Sequence, residues 1–339
     1  MKVLNFGSLN LDYVYDVDHF VREGETLSST DMNVFCGGKG LNQSVALAKA
    51  GVKVYHAGAV GSADGEMLTE ALSNVGVDIS VTFTDNARAD IAKLFFMMRK
   101  YRHYVAEEGY AIIQKNKSGN NCILLYGGAN QNIDKEFIKD VLKDFDKGDI
   151  LLLQNEISNL SFILDEAFAK GIRIVLNPSP LNEKIFECDL EKVEYLILNE
   201  IEAFDILGVE CDLKKISYLI LNEIEAADIL SVEYKSKEDL IEKLTKSFPD
   251  TGLVLTLGEG GSVYVDKNCK IYQGIYPTEV VDTTAAGDTF TGYFIAGLVE
   301  GTDIKSALRQ ASKAASITVS KKGASPSIPF VKEVSTVDD

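Results

Sequence analysis

Apolar residues in the first third of the chain fall in short runs. Residues 2–6 read as a buried strand that stops at Gly7-Ser8. Positions 11–17 and 26–35 alternate polar and apolar, which predicts strands with one wet face. The spacing then becomes helical up to Ala50-Gly51, and further strands are predicted at 53–60 and 78–84 around a helix at 65–75. Residues 110–114 and 121–125 flank Lys117-Ser118-Gly119 and predict a hairpin. From a helix at 134–145 onward, strands at 150–153, 172–176, 195–198 and 253–257 alternate with helical stretches. That is the pattern of a parallel sheet with helical crossovers, an α/β fold. A β-ribbon over 262–272, a strand-like run at 279–281 and helices over 289–299 and 303–320 complete the chain.

Two stretches interrupt this regularity. In residues 89–107, Ile91, Leu94, Phe95 and Met98 share a helical face before the basic, aromatic run Arg99-Lys100-Tyr101-Arg102-His103-Tyr104. This reads as an amphipathic helix docked on the surface, or as a contact for a partner subunit or a flap. Residues 188–210 are repeated at once as 211–233, with 18 of 23 positions identical. Two copies are too few for a solenoid. A tandem duplication is the simpler reading, with one copy in the sheet and the other looped out, added at an edge or packed outside.

At 339 residues the chain allows two domains, or one large α/β domain with an appendage. A net charge of −17 argues against nucleic acid or an anionic membrane as partner. An anionic substrate then needs a locally positive site built from amides and Mg2+. The five cysteines form no CxxC pair and no metal-like cluster with the three histidines, which predicts reduced thiols. No window approaches a membrane span and the N-terminus lacks a signal-peptide core, so a cytoplasmic protein is expected.

Chemistry concentrates where small and glycine residues precede helices. Asp282-Thr283-Thr284-Ala285-Ala286-Gly287-Asp288-Thr289-Phe290 converges several N–H groups on a helix start, a ready anion site. Asp288 there either caps the helix or takes a proton from a substrate hydroxyl. Cys36-Gly37-Gly38-Lys39-Gly40-Leu41-Asn42-Gln43-Ser44 brings backbone close to a ligand but lacks the Walker spacing. Polar groups recur past the strand ends: Asn10 and Asp12; Gln154, Asn155 and Glu156; Asn177; Asn199 with Glu202; Thr256 with Gly258 and Gly261. Equivalent strand ends converge on one rim, where open α/β sheets bind ligands.

GGKGLNQS at 37–44 together with DTTAAGDTF at 282–290 resembles the paired signatures of the ribokinase-like (PfkB) carbohydrate kinases, and the resemblance runs from Val3 to about Pro329. It implies a doubly wound, mostly parallel sheet with helices on both faces, one kinase domain over 1–339. A small β-sheet lid is implied near 11–17, 26–35 and 109–125. Asp288 would be the general base and the amides of Ala285, Ala286 and Gly287 the anion hole. Sugar contacts would come from Asn10, Asp12, Gly38, Lys39, Asn42 and Glu156, as in the ribokinase branch. ATP contacts would come from Thr256, Gly258 and Gly261. The family's NxxE element, tied to Mg2+ and phosphate, occurs twice, as Asn199 with Glu202 and Asn222 with Glu225, one copy being used; Gly208 favours the first as the better helix stop. Asp282, Gly323 and Ser327 match a monovalent-cation (K+) site, and a homodimer through the lid is implied. The resemblance points to an ATP-dependent sugar kinase acting on ribose or on a related sugar, nucleoside or ketodeoxy sugar acid. Reduction to a sugar- or nucleotide-binding protein is the other reading. Two features depart from the pattern: the length of 89–107, with Glu108 in place of a small hydroxyl residue, and the duplication.

Overall fold

The computed structural model describes residues 1–61, 65–80, 82–84, 109–117, 121–180, 182–197, 218–222, 237–247 and 252–337. In chain order, β1 (Val3–Phe6), β2 (Asn10–Val17) and β3 (Asp31–Gly37) precede α1 (Lys39–Lys49), β4 (Val54–Ala57), β5 (Ala59–Val60), α2 (Gly65–Ser73) and β6 (Phe83–Thr84). Then come β7 (Gly109–Asn116), β8 (Asn121–Tyr126), α3 (Lys135–Leu142), β9 (Ile150–Gln154), α4 (Leu160–Ala169), β10 (Arg173–Asn177), β11 (Tyr195–Ile197) and β12 (Tyr218–Asn222). The last part holds α5 (Lys237–Ser247), β13 (Gly252–Thr256), β14 (Ser262–Val265), β15 (Lys270–Gln273), α6 (Ala286–Glu300), α7 (Ile304–Val319) and α8 (Val331–Val334).

The main sheet has nine strands in the order β15-β14-β13-β12-β11-β10-β9-β1-β4, parallel from β4 to β13 and antiparallel at β14 and β15. Alternation along each strand divides its side chains between two cores. Leu4, Phe6, Leu151, Leu153, Ile174 and Leu176 meet Ile138 and Leu142 of α3 and Ile163 and Leu164 of α4. On the other face Val3, Ile150, Leu152 and Val175 meet Leu41 and Val45 of α1 and Phe290 and Phe294 of α6. Each of these burials stabilises by about 1.5–3 kcal/mol, so the sheet is a rigid floor for the loops at its carboxyl edge.

A second sheet, β3-β2-β7-β8, leaves the main one through the turn after β1. Its β2–β7 pair is parallel and in register from Asn10↔Gly109 to Val17↔Asn116. It matches the expected lid strands, except that β3 begins at Asp31, not Thr26, because its pairing with β2 starts at Asp16↔Asp31. The 53–60 strand breaks at Gly58, and the 78–84 strand is reduced to a bridge at Asp78 and the short β6. The stretch 89–107 and Glu108 lie outside the described residues.

The duplication takes an arrangement that the sequence reading had not allowed for. Both copies enter the interior of the sheet as neighbouring parallel strands, β11 and β12, with Tyr195↔Tyr218, Leu196↔Leu219 and Ile197↔Ile220 paired. Those partners are equivalent positions of the two copies. The physical reason is that each copy is a complete unit, a strand plus a connection (198–217 for the first) long enough for a parallel crossover, which needs a dozen or more residues. Residues 279–281 form no strand either. Val281 N–H donates to the Val319 carbonyl at the end of α7, at 2.8 Å, and Val280 is 65% exposed. Among the described residues, no helix is long and apolar enough to cross a membrane.

Candidate active site

Helix α6 begins three residues earlier than its apolar pattern suggests, at Ala286. Ala285 before it sits in the left-handed region (φ 62°, ψ 8°), a strained position for a residue with a β-carbon. No side chain caps the helix. Ala286 N–H donates to the Thr283 carbonyl at 3.2 Å. Gly287 and Asp288 follow in the first turn, whose N–H groups a helix leaves without internal acceptors. An added β-carbon at Gly287 would meet nothing within 4 Å, so there is open space beside this helix start. The helix dipole adds about half a positive charge at the same point.

Asp288 does not cap its own helix. Its carboxylate accepts from Asn42 Nδ2 at 3.2 Å and from Gln43 Nε2 at 3.0 Å, both on α1. Gln43 Oε1 in turn accepts from Gln154 Nε2 at the end of β9, at 2.8 Å, and Gln154 also donates to Asn5 Oδ1 on β1, at 2.9 Å. Two strands and one helix therefore aim a single carboxylate. Helix α1 can reach this position because Gly38 takes φ 89° before it and Gly40 passes the turn after β1, where a β-carbon would lie 2.4 Å from Ser8 N. Asn42 Oδ1 is buried with no hydrogen-bond partner, an acceptor waiting for a donor such as a ligand hydroxyl.

Facing Asp288 are the other acids and amides of the pocket. Glu156 accepts from the Ser8 hydroxyl and from Lys39 N–H, the latter at 3.2 Å. Asn10 Oδ1 accepts from Asn130 Nδ2 at 2.8 Å, and Asn130 is itself fixed to the Leu9 backbone. Asp12 lines a cavity together with Phe35, Ile113, Lys115, Asp282 and Thr284. The acceptors, donors and one unpaired amide oxygen close to Asp288 suit a polyol, each of whose hydroxyls needs both kinds of partner.

Burial, with Glu156 and Asp288 nearby, pushes the Asp12 carboxyl up to about 7. Burial also raises Glu156, against the pull of Lys39 and Ser8. The folded chain therefore keeps the Asp12 proton at pH values where the unfolded chain has lost it. The stability this gives is present below about pH 4 and is lost as pH rises through 7. Asp12→Asn, which mimics the protonated form, is expected to melt about 5 °C above wild type near pH 8.5, the gap closing towards pH 4. Melting curves of both proteins across that range check it, and a constant gap refutes it.

On the far side, Thr256 ends β13 and a 3-10 turn (Gly258–Gly260) follows, closed by Gly261 N–H on Gly258 O and Leu257 N–H on Gly261 O. Asn222 ends β12 beside Thr256. Asn199, Glu202 and Glu225 lie outside the described residues. Asp12, Asn42 and Glu156 are brought together with Asp288, then, while the turn after β13 stands at its own strand end, four strand positions from β9 in the sheet order.

Asp282 and Gly323 also meet, but the Asp282 carboxylate is not free for a monovalent cation. Asp282 Oδ1 accepts from Thr284 N–H at 3.0 Å and from its hydroxyl at 2.6 Å. Oδ2 accepts from Gly323 N–H at 3.3 Å and lies 2.8 Å from Lys115 Nζ. Ser327 donates its hydroxyl to the Ala324 carbonyl at 2.7 Å. A cation needs free oxygens, and here Asp282 is surrounded by donors. Burial pushes the Asp282 carboxyl up, but its hydrogen bonds from Lys115, Thr284 and Gly323 outweigh this and hold it below the usual range.

Sequence reasoning missed Ser8, Gln43, Asn130 and Lys115. Gln43 stands beside Asn42 in the glycine motif, which was a usable signal. Nothing local distinguishes Lys115 from any lysine at the end of a strand.

Residues 1–96 and 99–330 match the model of the pfkB family of carbohydrate kinases. The chain is 32% identical over 337 residues to a ribokinase of Haemophilus influenzae, covering 96% of this chain and 95% of that one. Its fold is similar to the crystal structure of ribokinase from Cryptococcus neoformans var. grubii in complex with ADP, with a TM-score of 0.74, 29% identity and 98% of each chain covered. It is similar as well to Arabidopsis thaliana ribokinase complexed with ribose and ATP, with a TM-score of 0.71, 26% identity and 99% and 98% of the chains covered.

Proposed function

The chain belongs to the pfkB family of carbohydrate kinases, and we propose that it is an ATP-dependent ribokinase, forming ribose 5-phosphate and ADP from ribose and ATP. The observation that carries this reading is the meeting of Asp288 with Asn42 and Gln43 at the uncapped start of α6. A hydroxyl held there lies between a carboxylate that can take its proton and amides that can hold the phosphoryl oxygens. Phosphoryl transfer asks chiefly for positioning and charge neutralisation. Asp288 acts as general base, and the amides at Ala285 and Gly287 form the anion hole, joined by Ala286 N–H if it leaves the Thr283 carbonyl. Asn10, Asp12, Gly38, Lys39, Asn42 and Glu156 hold the sugar.

ATP lies over Thr256, Gly258 and Gly261, with Asn199 or Asn222 beside it. Glu202 or Glu225 would hold magnesium by way of water, and the ion would supply neutralisation of the phosphates. Such neutralisation matters in a chain of net charge −17. The whole of 1–339 forms one kinase domain with its lid. Lid strand β8 leaves Ile123 and Leu124 54% and 68% exposed, which supports a homodimer formed through the lid.

A coupled assay of ADP release over ribose, deoxyribose, nucleosides and ketodeoxy sugar acids tests the reading. Ribose is expected to give the highest kcat/KM. Ribose binding without ADP release removes the kinase reading, and a clear preference for another acceptor removes ribose.

A further inference from the structure

Lys115 sits near the end of β7, beside Asp16 in the parallel β2–β7 register. Alternation along the paired strands puts it on the face that carries Asp12, Val14 and Ile113, the face turned to the cavity that Asp282 and Thr284 also line. From the lid it reaches across to Asp282, in the loop that leads into α6, with Nζ 2.8 Å from Oδ2. Both side chains are largely withdrawn from water, 17% and 11% exposed. An ion pair this dry is held in place, because removing either partner strands the other charge.

The same carboxylate is the one that the family resemblance gave to potassium. Its acceptor positions are taken by Thr284, Gly323 and Lys115, and an ammonium already supplies the unit of positive charge there. Without that charge, an ionised Asp282 would stand only four residues before the start of α6, where an anion is to bind. Resting on the kinase reading above, we propose that Lys115 replaces the monovalent cation in this enzyme. Delivered from the lid, its ammonium neutralises Asp282 and holds the 282–285 loop in place, so turnover does not depend on potassium. A diffusible ion would bind whether the lid is open or closed. A lysine on the lid puts the charge in place only when the lid lies against the loop, which ties the anion site to closure over the sugar.

The test compares wild type and Lys115→Met in potassium chloride and in tetramethylammonium chloride at equal ionic strength. Initial rates and melting temperatures are both measured. Wild type is expected to turn over at rates within about twofold of each other in the two salts and to melt alike in both. Lys115→Met is expected to lose about tenfold or more in tetramethylammonium, to recover part of that in potassium, and to melt about 2 °C higher in potassium. A wild type activated more than about fivefold by potassium overturns the proposal. So does a Lys115→Met variant that keeps full activity, or one that responds to neither salt in rate or melting. If no sugar is phosphorylated, the kinase reading fails separately, and the melting arm still decides whether Lys115 occupies a cation's place.

Discussion

Asp288→Asn is expected to lower kcat by about 10² or more, while ribose affinity stays within about threefold of wild type. The asymmetry follows from the geometry. Asp288 takes one amide hydrogen bond from Asn42 and one from Gln43, and Gln43 is fixed through Gln154 to Asn5. An asparagine fills the same space and still offers one acceptor oxygen, so the surroundings of Asn10, Asp12 and Glu156, proposed to hold the sugar, keep their shape. What it cannot do is accept the proton of the attacking hydroxyl, and that loss is felt only as the new bond forms. Single-turnover rates with ribose and ATP, set beside calorimetric ribose binding, separate the two effects. A kcat within about threefold of wild type would rule out Asp288 as the base. A parallel loss of affinity and rate would make it a binding residue instead.

Deleting either 188–210 or 211–233 is expected to leave a cooperatively folded protein and to raise kcat/KM for ATP by about tenfold or more. Removing a central strand normally unfolds a sheet. Here the neighbour carries the same residues in the same register. Without β11, Tyr218 takes the place of Tyr195 against Val175 of β10; without β12, Tyr195 takes the place of Tyr218 against Gly252 of β13. Each added strand moves the halves of a sheet apart by about 4.8 Å. The groups proposed for the sugar follow β1 and β9, the turn proposed for the nucleotide follows β13, and the strands of both copies lie between β9 and β13. Phosphoryl transfer is sensitive to misplacement of about 1 Å, so closing the gap is expected to improve the use of ATP. Thermal melting and ATP titrations of both deletion proteins provide the check. Loss of cooperative melting in both denies the equivalence of β11 and β12, and unchanged ATP kinetics denies that the extra strand separates the two half-sites.

Much of the fold was legible because it is written in local periodicity. The doubly buried strands at Ile150–Gln154 and Arg173–Asn177 announce themselves as apolar runs, and the N-cap residues Asp134 and Asp303 mark the starts of α3 and α7. The candidate site was legible in part, since DTTAAGDTF and GGKGLNQS place a carboxylate and two glycine-rich helix starts without any tertiary knowledge. Where local pattern misled, a non-local partner was the cause. The strand-like run at 279–281 finds the end of α7 and no sheet edge, and β3 starts only where β2 can pair with it. Gln43 and Lys115 escaped notice for the same reason, because their roles depend on residues far along the chain.

By itself, then, the sequence determined the α/β class, the family and the residue types at the site. Those depend on side-chain period, turn chemistry and motif spacing, all of them properties of neighbouring residues. Only the tertiary structure decided where the second copy of the repeat goes, because an identical YLIL strand satisfies an edge or an interior slot equally well until its neighbours are known. Only the tertiary structure put Lys115 of the lid on Asp282 of the loop before α6. An ion pair is a matter of distance in space, and distance across a fold is set by packing that no local pattern records.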